Sequence, residues 1–119
     1  MVKYEATITA VGPLTSEFID HGIIVLFGSD APEELQEFAL IHDGEKLEAP
    51  LQAGDKVSID NHSFKVLAVG DVANDNLNNL GHLVLKFNGE NEVEMPGDVC
   101  IEAADLPPIV VGTKLHIEG

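Results

Sequence analysis

Five histidines (His21, His42, His62, His82 and His116) and the single cysteine Cys100 carry most of the reactive chemistry in this chain. A neutral imidazole can serve as nucleophile, proton carrier or metal ligand, and with its usual pKa of about 6.5 it is mostly neutral at pH 7. Successive histidines lie twenty or more residues apart, so none forms the close local pair of common zinc motifs. A metal site assembled from distant histidines stays open at this level. His42 and His82 differ from the rest. Each borders an apolar segment beside a glycine, in Ile41-His42-Asp43-Gly44 and in Leu80-Gly81-His82-Leu83, where backbone amides can approach a ligand. His116 alternates with Leu115 and Ile117 and is expected to face solvent. His21 precedes Gly22 in a loop, and His62 sits on a hairpin corner; both read as surface residues. Cys100 alternates with Val99 and Ile101 and has no histidine near it in sequence, so it reads as a buried structural thiol. The carboxylates of Glu90-Asn91-Glu92-Val93-Glu94 fit no calcium loop and read as a solvated strand face.

Charge narrows the chemistry further. Twenty-one acidic residues face six basic ones, for a formal net charge of -15. Such a field repels phosphate backbones, so nucleic acid is a poor partner and a basic protein face a good one. All six basic residues are lysines: Lys3, Lys46, Lys56, Lys65, Lys86 and Lys114. Without arginine the chain has no bidentate clamp of its own for phosphate or carboxylate. That argues against a self-sufficient kinase, phosphatase or nucleotide enzyme. Were phosphoryl groups handled, a partner would supply the guanidinium. The start, Met1-Val2-Lys3-Tyr4-Glu5, lacks the apolar core of a signal peptide, and the run Ile23 to Phe27 is far too short to span a bilayer. A cytosolic chain without direct membrane insertion is expected.

The elements that would position these residues are mostly strands. At 119 residues the chain fits one domain over 1–119, with 45% hydrophobic content to build a core. From Lys3 to Val11 the pattern alternates, with Tyr4, Ala6, Ile8 and Ala10 on one face. Ile23 to Phe27 reads as a strand buried on both faces. Val57 to Ile59, His62 to Val69, His82 to Phe87, Val99 to Glu102 and Lys114 to Glu118 are further candidates. Asp60-Asn61 marks a hairpin, and Asn88-Gly89 supplies the residues of a type I′ turn after Phe87. Gly54, Gly97 and Gly112 each precede a polar residue and an alternating apolar run, which reads as punctuation at strand entry. Helix is scarce. Asp30-Ala31-Pro32-Glu33 offers an N-cap and an early proline for about two turns ending before His42, and a second short helix covers Asn74 to Leu80, stopped by Gly81. The pattern predicts a mostly β fold, a small barrel or sandwich with one or two short helices.

Several longer blocks carry a resemblance. The stretch from Ala68 to Gly89, the block Phe38 to Leu47 with Ile41-His42, and Glu94-Met95-Pro96-Gly97 resemble the glucitol/sorbitol-specific enzyme IIA of the bacterial sugar phosphotransferase system. Thr7-Ile8-Thr9 in the first strand and the Ala31-Pro32 helix start fit as well, and the likeness spans about residues 2 to 118. The resemblance implies a small closed β-barrel and a phosphotransferase component. It implies acceptance of a phosphoryl group on histidine from the histidine phosphocarrier protein. The group would pass to a cysteine of the cognate IIB unit while the membrane IIC unit imports the polyol. The family's phosphorylated histidine falls on His42; His82 lies within a matching block and takes a supporting role. The family type suggests Nε2 as the phosphorylated nitrogen. Asp43-Gly44 follows the histidine, where a carboxylate either orients the imidazole or closes the turn. No metal or organic cofactor is required by this scheme. The alternative is a non-enzymatic acidic β-barrel binding or regulatory module.

Overall fold

The N-terminal alternation becomes β1 (Val2–Val11) in the computed structural model, which describes residues 1–119. Tyr4, Ala6 and Ile8 point into the core, while Glu5 and Thr9 stay exposed. A bulge between Ile8 and Ala10 then breaks the period, so Ala10 is exposed instead of sharing the inward face. Seven more strands follow in chain order: β2 (Ile23–Gly28), β3 (Leu40–His42), β4 (Lys56–Ile59), β5 (His62–Val69), β6 (Leu83–Lys86), β7 (Asp98–Ile101) and β8 (Lys114–Glu118). Their order around the sheet is β1-β3-β2-β6-β7-β5-β4-β8, and the ends meet as a closed barrel with no free edge. The expected mostly β barrel is what the chain forms.

Two pairings are parallel, β2 with β3 and β6 with β7. The second corrects the hairpin expected at Asn88-Gly89. Gly89 does take a left-handed φ of 71°, but its N–H bonds to Ile101 O, and a long loop carries the chain back to run β7 alongside β6 in the same direction. Turn chemistry was present there; the second strand of the hairpin was not. The Asp60-Asn61 hairpin does join β4 to β5, with Asp60 at φ 52°. Gly54 and Gly112 precede β4 and β8 at φ 96° each, as their punctuation role requires.

Three short helices lie on the barrel, one more than the upper expectation: α1 (Thr15–Asp20), α2 (Glu33–Gln36) and α3 (Ala73–Leu80). Nothing in the polar Thr15–Asp20 run announced α1. It packs on β2, with Ile19 against the barrel core, while Ile23 and Val25 of β2 are only partly buried. In α2 the expected Asp30 cap is absent: Pro32 occupies the cap position, no side chain caps the helix, and it stops after Gln36. α3 ends as predicted at Gly81, in the left-handed conformation at φ 67°.

The barrel interior holds a core of twenty buried residues, including Tyr4, Ile8, Leu26, Leu40, Leu83 and Ile101. A smaller cluster of Phe27, Ala31, Ala39 and Ile41 sits outside the wall, under the α2 segment. Cys100 is buried, its thiol donating to Glu92 O. Lys3, although on the polar face of β1, is buried by a 2.7 Å ion pair to Asp55, and Asp55 also accepts from Gln52 N–H at 2.8 Å. Desolvation offsets much of the attraction in such a pair. Its consequence is positional, since it pins β1 to the turn entering β4.

Candidate functional site

His42 ends β3, and strand alternation decides where its ring goes. Leu26 and Leu40 face the core, Phe27 and Ile41 face the outer cluster, so Gly28 and His42 face inward again. In the parallel register His42 lies beside Gly28 on one side and Ile8 of β1 on the other. Because Gly28 lacks a side chain, the end of α3 can close on that row; a Cβ there would lie 2.9 Å from Leu80 O. The left-handed turn at Gly81 then aims a carbonyl back into the wall. His42 Nε2 meets Gly81 O at 2.7 Å. On the opposite side of the ring, Gly44 N–H donates to Nδ1 at 3.1 Å. The imidazole is 1% exposed, with both nitrogens held by backbone groups.

Two neighbours complete the surround. Tyr4 meets the imidazole edge-on, ring centroids 5.8 Å apart, and its ring fills the space a Gly44 side chain would need. Asp43 is clamped to β1, donating its N–H to Thr7 O at 3.2 Å and accepting Thr7 N–H on Oδ1 at 2.7 Å. The carboxylate therefore closes the turn through β1 and makes no hydrogen bond to the imidazole. Burial pushes the His42 pKa below its usual value; the Gly81 carbonyl and the Asp43 carboxylate pull upward without reversing it. The Tyr4 phenol is pushed up to about 12, by burial first and by Asp43 second, and stays protonated.

A cavity of about 220 Å³ opens beside this row, lined by Gly28, Gly44 and Gly81 together with Ser29, Asn78 and Asn79. Asp30 and Glu45 also line it, and no lysine does. A wider groove of about 590 Å³ runs along β1 and β8, where Thr7, Asp43 and Glu45 face Lys114 and His116. The two meet at Glu45. Any anion entering the smaller cavity finds the Asn78 and Asn79 side-chain amides but no cation.

The comparisons with known proteins decide the family. The model of the PTS system glucitol/sorbitol-specific IIA component matches residues 3–116. The chain belongs to that family. It is 37% identical over 118 residues to the PTS system glucitol/sorbitol-specific EIIA component of Shigella flexneri, and equally to that of Escherichia coli (strain K12), covering 99% of this chain and 96% of each relative. A crystal structure of the PTS system IIA component from Enterococcus faecalis V583 superposes with a TM-score of 0.86 at 28% identity, over 97% of this chain and 99% of that one.

In this IIA chain the second expected site residue, His82, lies on the other side of the wall. Its ring stacks on Phe27 at 4.5 Å in the outer cluster, and its Nδ1 bonds Leu26 O at 3.1 Å. The structure does not bring the two imidazoles together. It links them through one peptide, since the carbonyl that holds His42 belongs to Gly81, bonded to His82 N. His21 bonds Glu17 O at the end of α1, His62 is exposed at the hairpin, and His116 is half-buried on the outer face of β8. Tyr4, Gly28 and the Gly81 carbonyl were missed from sequence. Tyr4 carried a usable signal as the only tyrosine, on the inward face of the first strand.

A buried neutral histidine makes stability depend on pH. On acidification the unfolded chain takes up this proton at about pH 6.5, while the folded ring resists until lower pH. The contribution is complete above that value and is lost as pH falls below it. As pH falls below about 6.5, stability of the wild type minus that of His42→Gln should fall by up to about 1.4 kcal/mol per pH unit. Urea titrations at stepped pH measure the difference; a flat difference would mean that the ring is already exposed in the folded state.

Proposed function

We propose that this IIA chain is a phosphoryl carrier, accepting phosphate on His42 from the histidine phosphocarrier protein and passing it to a IIB cysteine in glucitol/sorbitol uptake. One observation carries the reading: His42 is held neutral, in one orientation, beside a small cavity whose walls present amides. Transfer between imidazoles is largely a matter of positioning and of stabilising charge on the phosphoryl oxygens. The Gly44 amide and the Asn78 and Asn79 side chains are at hand for the second task. Positive charge has to come with the partner, because the chain has no arginine and the cavity no lysine. The acidic rim of Asp30, Asp43 and Glu45 favours encounter with a basic face and makes that encounter salt-sensitive.

The test is direct. With phosphoenolpyruvate, enzyme I and the phosphocarrier, the chain should acquire close to one acid-labile, alkali-stable phosphate. Stoichiometric binding without label would point to the acidic binding module instead. His82 enters this scheme as a positioning residue. Its stack on Phe27 and its bond to Leu26 fix the peptide whose carbonyl holds His42. His82→Ala loses about 1 kcal/mol of stacking and should slow acceptance by about tenfold, with His42 still reactive. Unchanged rates inward and outward would remove it from the site.

A further inference from the structure

The two hydrogen bonds on His42 fix where its proton sits. A carbonyl oxygen only accepts, so the nitrogen 2.7 Å from Gly81 O must be the one that bears hydrogen, Nε2. A backbone N–H only donates, so the nitrogen 3.1 Å from Gly44 N must present its lone pair, Nδ1. Either contact alone would settle the tautomer, and they agree. From this geometry, and resting on the carrier reading above, we propose that His42 takes and gives the phosphoryl group through Nδ1. The Gly81 carbonyl keeps the proton on Nε2 throughout. This departs from the Nε2 that the family type suggests.

The step balances without a proton leaving the site. The Nδ1 lone pair forms the new N–P bond as the donor's N–P bond breaks, and that bonding pair returns to the donor imidazole. His42 then carries phosphate on Nδ1, hydrogen on Nε2 and the ring's positive charge, which lies against the Gly81 carbonyl at the C-terminal end of α3. In the onward step a partner thiolate attacks phosphorus, the N–P pair returns to Nδ1, and the ring is again neutral with its proton in place. A ring kept protonated is the better leaving group in that second step. The Gly44 amide loses its acceptor when Nδ1 bonds phosphorus, and it sits where a phosphoryl oxygen can replace it. The ring is 1% exposed, so the Asp43–Glu45 turn has to open transiently for a donor to reach Nδ1 and then close again for the Gly44 amide to meet the phosphoryl oxygen. The hydrogen bonds that turn breaks are the Gly44–Nδ1 contact and the Asp43–Thr7 pair. Neither touches the proton on Nε2.

Long-range proton–nitrogen correlation spectra on the histidine-labelled full chain test this. Before phosphorylation, His42 should show the hydrogen on Nε2 and a bare Nδ1. After treatment with phosphoenolpyruvate, enzyme I and the phosphocarrier, phosphorus should be attached to Nδ1. Phosphate on Nε2 of His42, or a resting tautomer with hydrogen on Nδ1, overturns the inference and leaves the carrier reading standing. Label on a different histidine, with His42 unmodified, overturns the carrier assignment itself.

Discussion

Replacing His42 by glutamine should abolish phosphoryl acceptance while the barrel remains folded. Loss of a reacting nucleophile lowers a rate by at least about 10³-fold, because positioning and charge stabilisation then have nothing to act on. Glutamine is the informative choice. Its amide nitrogen can follow Nε2 and donate to Gly81 O, so the end of α3 keeps its anchor to β3. Gly44 N–H loses its acceptor on Nδ1, at a cost of about 1–2 kcal/mol. The expected result is a protein with a modestly lower melting temperature and no transferable label. Equal labelling of the variant and wild type would move the phosphorylated residue elsewhere. The same variant supplies the reference for the pH series, because glutamine has no proton to take up as pH falls below about 6.5.

How much of this was legible in the residues depends on the range of the interactions that decide each element. β1, β4, β5 and β8 were written in period-two alternation, which is a local property. The end of α3 was equally local: a polar helical run stopped by a glycine that can turn left-handed. The parallel return of β7 was not, since the partner of β6 lies across a long loop and Asn88-Gly89 has the same chemistry whether or not a strand follows. α1 escaped because its stabilisation comes from packing on β2 and not from any signal within Thr15–Asp20. At the candidate site, the sequence singled out His42 and could place glycines beside it. It could not show that Gly28, Gly44 and Gly81 come from three separate segments and meet around one ring. Nor could it show that His82 faces away from that ring. His82 is held on that face by its stack on Phe27 of β2, a long-range contact that a single sequence does not reveal.

The strongest dependence outside His42 itself should lie at Gly44. An added Cβ there would sit 2.5 Å from Tyr4 Cε2 and 2.6 Å from its Cζ and hydroxyl, inside any normal contact. Tyr4 is 2% exposed and wedged in the core, so it has little room to retreat. Gly44→Ala must therefore push the Asp43–Glu45 turn outward, overpacking at a cost of about 1–3 kcal/mol. The turn carries the amide that faces Nδ1, and a displacement of this kind should lower acceptance by about 10²-fold. Local damage and a specific clash with Tyr4 can be told apart. Tyr4→Phe removes only the hydroxyl and leaves Cε2 and Cζ in the way, so it should not rescue Gly44→Ala. Tyr4→Leu shortens the side chain and should. A cycle of Tyr4→Leu, Gly44→Ala and the double variant should show a favourable coupling of about 1 kcal/mol or more, in both denaturation and transfer rate. Strict additivity would mean that the turn tolerates a side chain at position 44. The close approach of Tyr4 would then not be what holds the amide on His42.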